Sequence, residues 1–157
     1  NHSTLLQADS LLLDPNCLLL MLHPDSTFVN DVNRGGKNLN NSSLVVYLWY
    51  QGHAVLLMGD AEKPAEAAIC TRYDLPQVAV LKCGHHGSVT ATSPQLLQAF
   101  KPGFAVISVA QKNRFDLPDE AVLQLLQEQN IEIFRTDQCG AVQVEIKQGQ
   151  LAASVCK

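Results

Sequence analysis

The chain has 157 residues, of which 46% are hydrophobic and 17% are charged, and its formal net charge is −4. This length and composition support one folded domain and exclude a disordered chain. Strong binding of nucleic acid through charge alone is not expected, because the chain has no basic run or tail. A bound metal would still reverse the sign of the charge at a site that handles phosphates. The longest apolar run, 17–22, is far shorter than the roughly 20 residues that cross a bilayer.

The first third of the sequence predicts two β-hairpins. In each, two apolar or β-branched runs are separated by a turn signal of Asp, Pro, Asn or Gly. The runs are 11–13 and 17–22 in the first hairpin, and 43–50 and 53–58 in the second. Between the hairpins, the polar segment 25–41 predicts a long surface loop with Arg34-Gly35-Gly36-Lys37 at its centre. A glycine pair beside Arg and Lys could cradle a phosphate, but it lacks the spacing of a P-loop, so a surface loop is the preferred interpretation.

The rest of the chain alternates between strand and helix signals. Helices are predicted from about Lys63 to Arg72, after Ser93-Pro94, and after Asp119. Further strands are predicted at 78–81, 104–109, 131–134, 141–146 and 151–155. The order of hairpins, then alternating β and α, then hairpins predicts an α/β layered domain with a mixed sheet.

Two predicted strand ends carry the residue types of a hydrolytic metal site. One apolar strand ends at Gly59-Asp60, and the next is followed by Gly84-His85-His86-Gly87. Ligand sites of α/β proteins lie at the carboxyl ends of strands, and carboxylate and neutral imidazole bind zinc or manganese. The sequence therefore predicts Asp60, His85 and His86 as metal ligands. If the backbone there is extended, the two imidazoles face opposite sides, so that one faces a metal while the other packs or binds a carboxylate.

Structural roles for the same residues stay open. On residue type alone, Asp60 is better explained as the N-cap of the helix that starts near Lys63. The two histidines would then be loop residues with backbone partners. His23, at a predicted strand end, is placed like a ligand, but a structural role is favoured. Ser88 is set aside as a nucleophile, because no Gly-x-Ser-x-Gly elbow surrounds it.

Three motifs of this chain resemble those of the metallo-β-lactamase-fold domain of ComEC-type competence proteins. They are Asn40-Asn41-x-Ser43, Leu57-x-Gly59-Asp60-x-Glu62, and Leu81-Lys82-x-Gly84-His85-His86-Gly87-Ser88-x-Thr90-x-Thr92-Ser93. The likeness continues through 107–109, 113–115, 117–118, 135–137 and 140–141, and it covers nearly the whole chain from about Leu11. The resemblance implies a metallo-β-lactamase-like layered sandwich that is only partly represented in this chain. Proteins of this family carry that domain at their C-terminal end.

The resemblance also implies a role in natural transformation. Proteins of this family are multi-pass bacterial inner-membrane components that import single-stranded DNA. Their soluble domain, expected on the extracytoplasmic side, has a proposed nuclease role in removing the other strand. The implied partners are DNA and the transmembrane channel part of the same protein, and the implied cofactor is zinc or manganese. By resemblance, Asp60 matches the metal-bridging aspartate, and the His85-His86 pair contains the late histidine ligand, for which His86 is preferred.

Two departures from the family pattern bear on activity. The His-x-His-x-Asp-His ligand cluster of the fold is absent from these residues and is expected upstream, so 1–157 are predicted to be the C-terminal half of the domain. Many relatives have Gly-His-Pro where this chain has Asp116-Leu117-Pro118, and leucine cannot bind metal. The fragment alone is therefore expected to be an inactive part of a metal-dependent nuclease, and to self-associate through an exposed sheet face.

Two other functions remain as alternatives. One is a degenerate, non-catalytic domain that guides DNA or regulates the membrane channel. The other is a hydrolase of small esters or lactams on the same fold, because a fold does not fix a substrate. The last of these requires a deep apolar pocket in place of an open groove.

Overall fold

A computed structural model describes residues 8–33, 35 and 38–156 of the chain. Within these residues, seven strands form one sheet whose spatial order equals the sequence order. The strands are β1 (Ser10–Asp14), β2 (Cys17–His23), β3 (Val45–Tyr50), β4 (His53–Leu57), β5 (Val80–Lys82), β6 (Phe104–Ile107) and β7 (Glu132–Arg135). Neighbours are antiparallel from β1 to β4 and parallel from β4 to β7. The predicted α/β layered architecture with a mixed sheet is confirmed.

Three of the helices join the parallel strands and cover one face of the sheet. The helices are α1 (Ser26–Asn33), α2 (Lys63–Arg72), α3 (Pro94–Phe100), α4 (Glu120–Glu128) and the short α5 (Thr136–Cys139). The connections β4-α2-β5, β5-α3-β6 and β6-α4-β7 are successive crossovers between neighbouring parallel strands. Because such crossovers share one hand, their helices lie on the same side of the sheet.

The hydrophobic core lies between this face and the three crossover helices. Side chains alternate across a strand, so that every second residue of β3 and β4 faces the helices. Val45, Tyr47, Ala54 and Leu56 are accordingly buried. Buried apolar side chains of α2, α3 and α4 belong to the same cluster. The core thus fixes the position of the strand ends that carry the candidate site.

The prediction of one long loop at 25–41 is wrong. This segment contains α1 and a 3-10 turn at Leu39–Ser42. The helix begins because Asp25 Oδ1 accepts hydrogen bonds from the backbone N–H groups of Thr27 (2.9 Å) and Phe28 (3.2 Å).

The possible phosphate cradle at Arg34-Gly35-Gly36-Lys37 lies outside the described residues, apart from Gly35. No helix among the described residues is long and apolar enough to cross a membrane.

A separate antiparallel pair, β8 (Ala141–Lys147) and β9 (Gln150–Cys156), follows the main sheet. The turn between its strands is attached to the turn of the second hairpin. Gly149 N donates to Gln51 Oε1 (3.0 Å), and the His53 ring donates from Nε2 to Gly149 O (2.9 Å).

The sheet face opposite the helices is less covered. Leu57 is 40% exposed, whereas its neighbour Leu56 is fully buried. Self-association of the fragment through this face stays a prediction, as does the assignment of 1–157 to half of a metallo-β-lactamase-like domain.

Candidate functional site

Two backbone segments meet at the carboxyl ends of β4 and β5. These strands are parallel neighbours, so that Gly59-Asp60 and Gly84-His85 emerge side by side. His85 N donates to Gly59 O (3.2 Å), and Lys82 Nζ donates to the same carbonyl (2.9 Å). A Cβ at Gly84 would lie 2.5 Å from the backbone oxygen of Ala61, so only glycine permits this approach. The glycine before the histidine pair is therefore required by close packing of the two segments.

His85 and His86 both adopt left-handed backbone conformations, with φ of 43° and 56°. They lie in a tight 3-10 turn at Gly84–Gly87, so the extended backbone assumed for them in the sequence argument is not present. The rings nevertheless diverge, with centroids 6.3 Å apart. The ring of His86 turns toward Asp60, and the ring of His85 turns toward Glu62. The two histidines thus enter different environments.

The Asp60–His86 pair has the electronic arrangement of two metal ligands. His86 Nδ1 lies 2.7 Å from the carbonyl oxygen of Ser108. A carbonyl only accepts, so Nδ1 carries the proton and Nε2 of the neutral ring keeps its lone pair. Nε2 lies 3.5 Å from Asp60 Oδ1. Two acceptor atoms this close favour a cation, either a proton or a metal ion, between them.

The spacing of this pair also fits a metal ion. Two donor atoms bound to one tetrahedral ion at about 2.0–2.1 Å each are about 3.3–3.4 Å apart, and the observed separation is 3.5 Å. The ring orientation fits as well, because a metal-bound histidine usually donates its other N–H to a carbonyl or carboxylate. Among the residues described, however, no group of three or more His, Cys, Asp and Glu side chains is placed to hold one ion. Asp60 and His86 can therefore supply two ligands of a site, but not a full set.

Asp60 does not cap the following helix. The N-cap position of α2 is occupied by Glu62, whose side chain makes no capping hydrogen bond. The backbone N–H of Asp60 donates to Ser43 Oγ (3.2 Å), and its side chain is 44% exposed beside His86. The N-cap interpretation, which residue type alone favoured, is wrong.

Glu62 is a site residue to which the sequence argument gave no role. It is 8% exposed, and its carboxylate gathers hydrogen bonds from several segments. The donors are Asn38 (2.6 Å), Thr90 (2.9 Å) and Asn40 (3.3 Å). His85 Nδ1 lies 3.1 Å from the same carboxylate. Burial alone would raise the pKa of Glu62, but these hydrogen bonds and the nearby His85 hold the pKa of this carboxyl below its ordinary value.

The motif Asn40-Asn41-x-Ser43 attaches the 3-10 turn at Leu39–Ser42 to the Asp60–Glu62 segment. Asn41 Oδ1 accepts from the backbone N–H of Glu62 (3.1 Å), and Ser43 Oγ accepts from that of Asp60. These polar side chains thus satisfy backbone groups that no helix or strand pairs. The three sequence motifs therefore meet at one place in the structure.

His23 has a structural role, as the sequence argument favoured. Its side chain is fully buried, and Nε2 lies 2.7 Å from Asn41 O. Nδ1 has no hydrogen-bond partner among the described residues, and the ring packs edge-on against Phe28. Burial lowers the pKa of His23, although the Asn41 carbonyl and Asp25 act in the opposite direction.

This lowered pKa predicts acid-sensitive stability. A histidine whose pKa is lower in the folded state contributes stability above its unfolded pKa of about 6.5, and this contribution is lost as pH falls below that value. Replacing His23 by Gln, whose amide can donate to Asn41 O, is expected to flatten the fall in the free energy of unfolding between about pH 6.5 and 5. Urea unfolding across this range measures the effect. Equal pH slopes for the two proteins would contradict the assignment.

A cavity of about 400 Å³ opens beside the Asp60–His86 pair. Its lining residues are Asp60, His85, His86, Ser88, Phe115, Leu117 and Asp119. Leu117 thus borders the pair at the position where the resemblance would place an imidazole. Asp119 has the N-cap position of α4, as predicted, but its side chain makes no capping bond and accepts instead from Val89 N (2.6 Å). Phe115, 65% exposed, is a further lining residue that the sequence argument did not single out.

The fold and this pair define an α/β domain with a carboxylate–imidazole site at the carboxyl ends of its parallel strands, and sequence comparisons add its relatives. No family model matches the chain. The chain is 41% identical over 108 residues to ComE operon protein 3 of Bacillus subtilis (strain 168), which covers 69% of the chain and 14% of that protein. It is 33% identical over 132 residues to competence protein ComA of Neisseria gonorrhoeae, and the match covers 82% of the chain and 19% of that protein. It is 34% identical over 112 residues to recombination protein 2 of Haemophilus influenzae, and the match covers 71% of the chain and 14% of that protein.

These relatives support a ComEC-type competence protein family for this chain. The chain spans less than a fifth of the length of the curated relatives named here.

Proposed function

We propose that the chain is part of the DNA-processing domain of a competence protein, and that Asp60 and His86 are two ligands of a divalent metal, zinc or manganese, used to hydrolyse a phosphodiester bond. The observation that carries the proposal is the 3.5 Å separation of His86 Nε2 and Asp60 Oδ1, in a ring whose Nδ1 donates to the Ser108 carbonyl. The names of two relatives, ComE operon protein 3 and competence protein ComA, support DNA uptake as the setting.

The proposal extends to the protein that contains this domain. The domain would have the metallo-β-lactamase-like layered sandwich, and DNA would be its substrate. The transmembrane part of the same protein would be its partner, at the bacterial inner membrane.

The described residues hold the two ligands in place without the ion. The Ser108 carbonyl fixes the tautomer and orientation of the His86 ring. Ser43 holds the backbone of Asp60, and the Glu62–His85 contact secures the turn that carries His86. When bound, a divalent metal supplies a Lewis acid for phosphoryl oxygens and lowers the pKa of a bound water.

The ligand count predicts weak metal binding by this chain alone. A catalytic zinc site usually has three protein ligands, and the described residues bring only two together. Titration of the purified chain with zinc or manganese is expected to show binding without tight saturation, and the chain is expected to show no nuclease activity. A stoichiometric, tightly bound ion in the chain as purified would contradict this expectation.

The experiment that tests the function uses the full-length protein. Its hydrolysis of DNA is expected to stop when metal is removed by a chelator and to return when zinc or manganese is added. DNA hydrolysis that is unchanged after complete metal removal would overturn the proposal.

A non-catalytic role in guiding DNA is the second candidate. It is favoured by Leu117, a side chain without donor atoms that borders the cavity of the Asp60–His86 pair. In that case the full-length protein would bind DNA, and metal removal would change neither binding nor DNA integrity. The ester- or lactam-hydrolase alternative receives less support, because the cavity is bordered mainly by charged and polar side chains, with the apolar Phe115 and Leu117 on one side.

A further inference from the structure

Phe115 is exposed at the edge of the candidate site. Its side chain is 65% exposed and lines the same cavity as Asp60 and His86. The guanidinium carbon of Arg114 lies 4.6 Å from the centre of its ring, within the range of a cation–π contact. The ring thus borders the cavity of the carboxylate–imidazole pair, and Arg114 covers one face of the ring.

The loop that carries Phe115 is held in shape by one side chain. Asn113 Oδ1 accepts from the backbone N–H groups of Phe115 (3.2 Å) and Leu117 (3.0 Å). Asn113 Nδ2 donates to the carbonyls of Leu117 (2.8 Å) and Ala110 (3.2 Å). These four hydrogen bonds fix the loop, so the exposure of Phe115 is built into its conformation. A group held in its binding position before the ligand arrives loses less entropy on binding.

Unneutralised cations lie on the other side of the same loop. There a cavity of about 630 Å³ is lined in part by Lys112, Arg114 and Arg135. Arg135 is neutralised by Asp137, with Nη2–Oδ2 at 2.7 Å and Nε–Oδ1 at 3.1 Å. Lys112 and Arg114 form no ion pair within the described part of the chain.

The charge of this loop distinguishes it from the chain as a whole. In a chain of net charge −4, the two cations and the exposed aromatic ring of this one loop form a local site for a negatively charged, aromatic ligand. The exposed Asp116 is the one acidic residue of the segment 111–116, and it leaves the segment with a positive balance.

We propose that the basic-aromatic loop, residues Lys112 to Phe115, binds single-stranded DNA at the candidate site. A base stacks on the ring face of Phe115 that Arg114 does not cover, and Lys112 and Arg114 bind adjacent phosphates. The neighbouring phosphodiester then lies toward Asp60 and His86. This inference rests on the proposed function, and it names the substrate class as a single strand, because the base faces of a duplex are already stacked and unavailable to an aromatic ring.

The charges favour this occupant over a protein surface. A hydrophobic protein contact would use the exposed ring but would leave Lys112 and Arg114 without a partner. Single-stranded DNA satisfies both features, since stacking uses the ring and the phosphates neutralise the cations. A protein partner is an outcome that the following test can detect.

The test measures the binding of a fluorescein-labelled oligothymidine to the whole 157-residue chain by anisotropy, in EDTA so that no hydrolysis occurs. Phe115→Ala is expected to weaken binding by about 5- to 100-fold without changing its salt dependence. Lys112→Ala and Arg114→Ala are each expected to lower the slope of log K against log salt by about 0.7, the value for one phosphate contact of a single strand. Phe115→Trp is expected to retain affinity, and its fluorescence is expected to be quenched by the oligonucleotide.

Two matched variants control for general effects. Leu12→Ala removes a side chain that is 69% exposed on the first hairpin, and Lys147→Ala removes an exposed cation from β8. Both are expected to bind the oligothymidine as the unmodified chain does.

Three results would overturn the inference. The first is an unchanged affinity of Phe115→Ala, and the second is equal dependence on Phe115 for duplex DNA of the same length. The third is a Phe115→Ala variant that changes sedimentation while leaving DNA affinity intact, which would identify a protein contact. The test is separate from that of the proposed function, because Asp60→Asn, expected to remove hydrolysis, is expected to keep the Phe115-dependent binding.

Discussion

Asp60→Asn and His86→Ala are each expected to reduce DNA hydrolysis by the full-length protein by orders of magnitude. Asparagine keeps the size of Asp60 and much of its hydrogen bonding but removes the charge that balances the metal. His86→Ala removes an imidazole whose Nε2 lies 3.5 Å from Asp60 Oδ1. The losses should be comparable with the about 10²- to 10³-fold cost of removing one preorganised charge-stabilising group. Nuclease rate and bound metal are measured for each variant.

These variants should lose activity without losing the fold. The side chains of Asp60 and His86 are 44% and 47% exposed, so their replacement leaves the core intact. The free energy of unfolding is therefore expected to change by no more than about 0.5 kcal/mol, as for most surface substitutions. Asp74→Asn, the same substitution at an exposed position away from the site, should keep both activity and stability.

Variants of His85 and Leu117 test what the other residues of the cavity contribute to activity. His85→Ala should reduce activity by about 10- to 100-fold, as is usual for a residue that orients the metal ligands without binding the metal itself. Its Nδ1 contacts Glu62 at 3.1 Å. Leu117→His asks whether an imidazole at this edge of the cavity raises activity. If Asp60→Asn and His86→Ala both behave as the unmodified protein does, the catalytic proposal fails and the DNA-guiding role takes its place.

The sequence was sufficient for features that arise from local patterns. Both hairpins follow from apolar runs around turn residues, and α3 begins at Ser93, whose side chain accepts from Leu96 N as an N-cap should. The helix at Ser26–Asn33 was missed, because its three apolar residues, Phe28, Val29 and Val32, are spaced for one helix face but stand in a mostly polar segment that favoured a loop. Its start depends on Asp25, a cap signal that could have been read from the sequence alone.

The contacts that build the site could not be derived in the same way. Glu62 receives hydrogen bonds from Asn38, 24 residues before it, and from Thr90, 28 residues after it. Such partners depend on which strand ends become neighbours, and periodicity carries no information about that. The backbone of His85 and His86 was also unpredictable, since non-glycine residues rarely adopt positive φ. Residue types and spacing predicted the candidate site, but only the fold separated the surroundings of His86 from those of His85.

Glu66 is a buried support of the histidine-bearing loop. Its side chain is fully buried on α2, and its two carboxylate oxygens accept from the backbone N–H groups of Thr92 (2.6 Å) and Ser93 (2.8 Å). Thr92 has φ +57°, which is unfavourable for a β-branched residue and costs about 1–3 kcal/mol. The two hydrogen bonds that Glu66 accepts thus hold the segment after His86 in a strained conformation.

Glu66→Ala is therefore expected to lower the free energy of unfolding by about 3–5 kcal/mol. A hydrogen bond to a charged group contributes about 1.5–3 kcal/mol, and here one buried and one half-buried backbone donor lose their acceptor while a cavity remains. For a domain of this size the melting temperature should fall by about 6–20 °C. Glu66→Gln should cost less, because its amide oxygen still accepts from one donor while its NH₂ group faces the other. Glu128→Ala, an exposed glutamate of α4, should change stability by less than about 0.5 kcal/mol. Urea and thermal unfolding measure all three variants, and hydrogen exchange should accelerate at 88–93 in Glu66→Ala alone. A Glu66→Ala protein as stable as the Glu128→Ala control would show that the loop holds its conformation without this carboxylate.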